Sequence, residues 1–163
     1  MITAIDDELF NDLLRQAAEA PRLRAHHNLH RGPEEPMLRL CIGLKHGTYV
    51  RPHNHRISGK QELVVILRGQ IDVLIFGDDE TLRERLTLSA GQGLSAIELT
   101  ADRWHSVITT GDDAVIMEVK QGPFAPTAPE EFAAWSPPEG HNEVPAFLKW
   151  SATAQPGDRY EAD

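Results

Sequence analysis

Cysteine is almost missing from this chain. Cys41 stands alone, so no intramolecular disulfide can form, which fits a reducing compartment and gives a cytoplasmic protein as the expectation. A basic run is missing too. The 16 Lys and Arg are outnumbered by 25 Asp and Glu, for a net charge of −9, and nothing resembles a surface that tracks phosphate backbones. Nucleic acid is therefore not an expected partner. Long apolar runs are absent as well: "LVVIL" (63–67) falls far short of the roughly 20 residues a membrane span needs. The opening "MITAIDDELF" has neither a basic n-region nor an apolar h-region, so no secretion signal is expected. With 163 residues the chain is long enough for one domain with its own core.

What is present changes character along the chain. Residues 6–20 read as a helix, with Leu9, Phe10, Leu13, Leu14, Ala17 and Ala18 on one face, Asp6 or Asp7 as cap and Pro21 as stop. A polar connection follows, with Gly32, Pro33 and Pro36, so residues 1–36 form a helix and arm. From 37 to 122 the pattern is one of short aliphatic runs separated by turn signals. Strands are expected at 37–45, 48–55, 61–67, 70–76, 82–88, 94–99, 104–110 and 114–120, an all-β barrel or jelly roll. Residues 123–163 are rich in proline and read as a wrap on the barrel. Short helical turns are expected at 129–135 and 144–150, and a frayed tail after about 150. Trp104, Trp135 and Trp150 are expected to anchor these terminal segments, and Cys41 to be a small core residue.

The stretch "YVRPHNHRISGKQELVVILRG" (49–69) carries the chemistry. Side chains alternate along a strand, so Tyr49, Arg51, His53 and His55 would share one face. Four polar groups in a row cannot be buried unpaired without cost, and that face lines either solvent or a site. Glu62 arrives on the next strand, and "RWHS" (103–106) places His105 on another. Three imidazoles and a carboxylate suit iron, manganese, nickel or zinc. Solvated histidines are the alternative. Arg51 and Tyr49 on the same face, with Lys60 nearby, are candidates to bind an anionic ligand, Arg51 by a bidentate fork. Glu98 and Glu118 read either as orienters of imidazole N–H groups or as solvated strand edges.

"GTYVRPHNHRISGKQELVVILRG" resembles the first cupin motif, G-x5-H-x-H-x(3,4)-E-x6-G, with Gly47, His53, His55, Glu62 and Gly69 on its positions. The gap between His55 and Glu62 is six residues, longer than the general pattern. "IELTADRWHS" resembles the second motif, P-x-G-x2-H, with His105 in register, although Thr100 and Asp102 replace its Pro and Gly, Thr109 stands where an Asn often follows, and Gly93 sits one residue early. "PRLRAHHNLH", "EVKQGPFAP" and "EFAAWSPPEG" are similar to one subgroup, the WbuC family of cupin-fold metalloproteins, over roughly residues 1–150. The resemblance implies a cupin barrel of the jelly-roll type and one divalent metal held by His53, His55, Glu62 and His105. It brings Asn28 and His30 to the barrel mouth as candidate ligand-binding residues, and implies edge-to-edge pairing into a homodimer.

Two classes of function follow. One is a metal-dependent enzyme, an oxidoreductase, isomerase or lyase, acting on a small polar or anionic molecule. The name of the WbuC family implies a sugar-related role in bacterial surface-polysaccharide metabolism. The other is a non-catalytic cupin module that binds a small ligand around a structural metal, with a metal-free sugar epimerase as a third reading. One fold hosts many chemistries, so the resemblance alone does not choose. No G-x-S-x-G elbow and no glycine-rich phosphate loop followed by a helix is present.

Overall fold

The computed structural model describes residues 2–161. The N-terminal helix forms as its periodicity requires. α1 spans Asp7–Glu19, Asp6 caps it by accepting from the Leu9 amide at 3.1 Å, and Phe10, Leu13 and Ala17 face inward. Its docking surface is the outer face of a sheet at Gly43, where a Cβ would stand 2.9 Å from the Leu13 carbonyl carbon. Glycine there lets helix and strand approach closely.

Nine strands follow among the described residues: β1 Arg24–Asn28, β2 Met37–Leu44, β3 Glu62–Arg68, β4 Gln70–Phe76, β5 Leu82–Ser89, β6 Gln92–Gly93, β7 Ala96–Leu99, β8 Trp104–Thr109 and β9 Ala114–Gln121. Among the described residues they form two antiparallel sheets, β1-β2-β9-β3-β7 and β6-β5-β4-β8, and not one closed barrel. The inward side chains of both sheets build an aliphatic core that includes Leu44, Val64, Ile66, Ile71, Val73 and Ile116. That is the sandwich of a jelly roll.

Three local expectations are corrected. Residues 48–55 are not a regular strand; they run in irregular extended backbone that touches its neighbours through single bridges, His53 to His105 and His53 to Phe132. Pro52 lacks the amide a ladder needs. The arm is not merely a connection, because 24–28 pairs with β2 as an edge strand. The segment after 150 is packed and not frayed. α2 spans Val144–Thr153, Ala154 and Tyr160 are buried, and the Asp158 carbonyl accepts from the Leu82 amide at 2.8 Å. Tyr160 closes on Phe147 at 4.9 Å between ring centres, so one aromatic anchor holds a polar segment down. Residues 162 and 163 of that segment lie outside the described residues. Trp104, Trp135 and Trp150 pack against the cluster around Phe76 and Leu82, as anchors of the wrap should. No helix among the described residues is long and apolar enough to cross a membrane.

Candidate metal centre and cavity

Strand parity and register assemble the site. Glu62 begins β3 and pairs with Lys120 of β9, whose other neighbour is Leu38 of β2. His105 lies on β8 of the opposite sheet. His53 reaches it through reciprocal backbone bonds, His53 amide to His105 carbonyl at 3.0 Å and His105 amide to His53 carbonyl at 2.8 Å. The ring nitrogens of His53, His55 and His105 that face one another lie within 4.8 Å. The carboxylate of Glu62 sits against the same cluster, 2.9 Å from His55 Nε2 and 3.2 Å from His105 Nε2. His55, Glu62 and His105 are buried, and His53 is half-buried at the cavity wall.

The tautomers are fixed from behind. His53 Nδ1 lies 2.9 Å from the Arg51 carbonyl and His105 Nδ1 lies 2.9 Å from the Arg103 carbonyl. A nitrogen beside a carbonyl must carry the hydrogen, so each Nε2 presents its lone pair to the cluster. His105 Nε2 is buried and makes no well-aligned hydrogen bond; it faces the Glu62 carboxylate at 3.2 Å. In the neutral ring its lone pair would face the Glu62 carboxylate, which is repulsive. Only a proton or a cation between them relieves this.

The electrostatics agree. Burial lowers His53 to about 3, helped by the neighbouring His105 and opposed by Glu62. Burial also opposes charge on His105, but the Glu62 carboxylate outweighs it and raises that imidazole. For Glu62 itself burial pushes upward, and the imidazoles of His105 and His55 with the Lys120 ammonium hold it well below the ordinary 4.5. A neutral imidazole, a second that seeks a cation, and an ionised carboxylate make a suitable donor set for a borderline divalent ion.

A cavity of about 680 Å³ opens beside the cluster. Its floor is aliphatic, from Leu40, Ile42, Val107 and Ile116, and its rim carries Arg22, Arg24, Asn28, His30 and Arg31. Asn28 and His30 line this cavity, with His30 Nδ1 2.9 Å from the Arg39 carbonyl, and Arg51 lines it too, whereas Tyr49 and Lys60 do not. Tyr49 is buried among Phe147 and Tyr160, its hydroxyl donating to the Pro137 carbonyl at 2.7 Å, and it lies off the cavity wall. Lys60 turns away and donates to the Pro123 carbonyl. Arg51 does line the cavity, but its guanidinium is spent on the Ala133 carbonyl at 2.9 Å and on the Ser136 carbonyl and hydroxyl at 3.2 Å. No fork is left for a ligand carboxylate. Glu98 is solvated, whereas Glu118 lines the cavity and pairs with Lys120 at 3.3 Å.

Sequence reading missed Glu131. Its carboxylate, 2% exposed, accepts from the amides of Ile57 and Ser58 at 3.0 Å and of Ala128 at 3.1 Å, and from the Ser58 hydroxyl at 3.2 Å. Its own carbonyl accepts from the Asn54 amide at 2.9 Å. The wrap thereby fastens the loop that follows His55. A glutamate inside "PEEF" shows no signal of this, since Ile57 and Ser58 lie more than seventy residues away.

Residues 5–88, a little over half of the chain, match the model of a family described as a domain of unknown function (DUF6016). No curated protein matches the chain. Solved structures do. TT1209 from Thermus thermophilus is 21% identical with a TM-score of 0.52, over 72% of this chain and 95% of that one. An oxalate oxidase in complex with the substrate analogue glycolate is 19% identical with a TM-score of 0.53, over 73% and 62%. A cupin 2 domain-containing protein from Halorhodospira halophila is 14% identical with a TM-score of 0.50, over 77% and 76%. At these identities the likeness speaks for the fold, and the fold is that of the cupins.

Proposed function

We propose, for a chain that belongs to the family described as a domain of unknown function (DUF6016) and folds as a cupin, that it is a divalent-metal protein whose ion is held by His53, His55, Glu62 and His105. The observation that carries this reading is the convergence of one ring nitrogen each from His53, His55 and His105, within 4.8 Å of one another, beside the Glu62 carboxylate. A metal there would act as a Lewis acid toward an oxygen of a bound molecule. The adjoining cavity favours a metal-dependent enzyme, or a ligand-binding protein, over a closed structural site, because half-buried His53 leaves the cluster open to that side. The chain's own residues then hold and enclose a small anionic molecule: Asn28 and His30 at the rim, aliphatic side chains at the floor, and Lys120 beside Glu62 at 3.9 Å.

A sugar-related role, in a homodimer, is the finer form of this proposal, and it is supported by the WbuC-like stretches around both motifs. Elemental analysis tests the metal reading, on protein purified without chelator or nickel affinity, beside a His53→Ala/His105→Ala variant. About one equivalent of Fe, Zn, Mn or Ni per chain, lost in the variant, is expected. A metal-free wild type that also fails to load on reconstitution would contradict it.

A further inference from the structure

The cavity wall next to the metal cluster carries a charge pair, Lys120 and Glu118. They stand two apart on β9, so both project to the same face, and both line the cavity half-buried. Register sets them beside the centre. Lys120 lies across from Glu62 on one side and from Leu38 on the other, and Glu118 lies between Val64 and Leu40. Lys120 Nζ donates to Glu118 Oε2 at 3.3 Å. It stands 3.9 Å from Glu62 Oε2, close enough for attraction and too far for a hydrogen bond. An ammonium carries three N–H donors, and among the described residues this one uses a single one of them. Glu118, which the sequence offered as an orienter of imidazole or as a solvated edge, bonds to no imidazole among the described residues; it holds the lysine.

No other cation takes this place. The Arg51 guanidinium is held by Ala133 and Ser136. Arg24 donates to the Tyr49 carbonyl at 2.6 Å and to Glu139. Arg22 and Arg31 are on the exposed rim, with Glu139 and Glu35 beside them. Charge then limits what fits. A divalent ion held by one carboxylate and neutral imidazoles leaves one positive charge in excess, while Lys120 and Glu118 cancel each other. One negative charge on a ligand balances that excess. A second one would meet the Glu118 carboxylate among the aliphatic side chains of Leu38 and Leu40, where repulsion is weakly screened.

Building on the metal reading above, we infer that the ligand is a monocarboxylate, with one carboxylate oxygen directed to the metal cluster and the other held by Lys120. Lys120 is thus the specificity-determining cation, the role the sequence offered to Arg51. Glu118 is a positioning residue: it fixes the ammonium beside Glu62 and turns away a second acidic group.

Two four-carbon acids test this by calorimetric titration of zinc-loaded protein at about pH 7.5, where both are ionised: butyrate, with one carboxylate, and succinate, with two. Wild type should bind butyrate more tightly than succinate. Lys120→Met should weaken butyrate about ten-fold, the loss of one charge-assisted contact. Zinc, measured by competition with a chelator, should be held at least as tightly in that variant, because a cation beside the ion has gone. A lysine that merely kept Glu62 in place would weaken zinc as well. Glu118→Gln should narrow the difference between butyrate and succinate. In Lys120→Met/Glu118→Gln neither charge is left unpaired, so the double variant carries the test where a single one unfolds, and butyrate should again bind more weakly than to wild type. Butyrate affinity that is the same with and without Lys120, zinc affinity that falls alongside it, succinate binding as tightly as butyrate, an unchanged preference in Glu118→Gln, or no butyrate binding at all would each overturn the inference. Zinc content is measured on the same samples. Protein that takes up no zinc overturns both readings, whereas zinc-loaded protein that fails these comparisons overturns only this one.

Discussion

At the scale of single residues the centre is a balance between Glu62 and His105. In metal-free protein, Glu62 is held well below 4.5 and His105 is raised above 6.5. A depressed carboxylate contributes stability that is present above 4.5 and lost as pH falls through its folded value. A raised imidazole contributes stability that is present below 6.5 and lost as pH rises through its folded value. Both are complete only between the two. The melting-temperature gap between wild type and Glu62→Gln, measured without metal, should therefore be widest between about pH 4.5 and 6.5 and narrow on either side. Bound metal takes the place of the proton on His105, so zinc should keep the gap open at higher pH. A gap indifferent to pH, with or without zinc, would mean that the pair is not ionised as described. These partners were legible in the sequence because His53, His55, Glu62 and His105 carry the chemistry in their identities and spacing. Tyr49 was not, since its placement follows from packing against Phe147, which lies almost a hundred residues away and leaves no periodic trace.

At the scale of elements, the site depends on segments that bear no ligand. Residues 131–133 run beside 52–54, with the Asn54 amide bonded to the Glu131 carbonyl and the Ala133 amide to the Pro52 carbonyl, each at 2.9 Å. Removing the Glu131 carboxylate would strand the amides of Ile57, Ser58 and Ala128. Glu131→Ala should cost about 3 kcal/mol by denaturant unfolding. Because the strap steadies both histidines of the first motif, metal affinity should fall by about 10–100-fold, as for other supporting residues of metal sites. Glu131→Gln should recover part of both losses. Wild-type metal affinity in Glu131→Ala would show that the strap does not position the ligands. The irregular segment 48–55 explains why strand parity reached a partly correct result. Alternation puts His53 and His55 together only where backbone is extended, and here backbone bonds to His105 and Glu131, not a ladder, hold it so. β1 and the tail were missed for a related reason: an edge strand in a polar arm and a segment fixed by Tyr160 show little amphipathic pattern. α1 and the aliphatic strands were read well because their apolar spacing is local.

At the scale of the molecule, two sheets with an aliphatic core hold a polar cluster at one side of a large cavity. The core is dense with buried Leu, Ile and Val and does not rely on the metal for its contacts, unlike small domains that fold only when an ion is bound. Into this core the fold places two buried imidazoles, a half-buried third and a carboxylate, a donor set that fits a metal ion. The most direct measurement is anomalous diffraction from a crystal of the metal-loaded protein, collected across the absorption edge of the metal found by elemental analysis. One peak per chain is expected, about 2.0–2.2 Å from the Nε2 atoms of His53, His55 and His105 and from a carboxylate oxygen of Glu62. A loaded crystal with no peak among these four residues, or with its peak elsewhere, would contradict it.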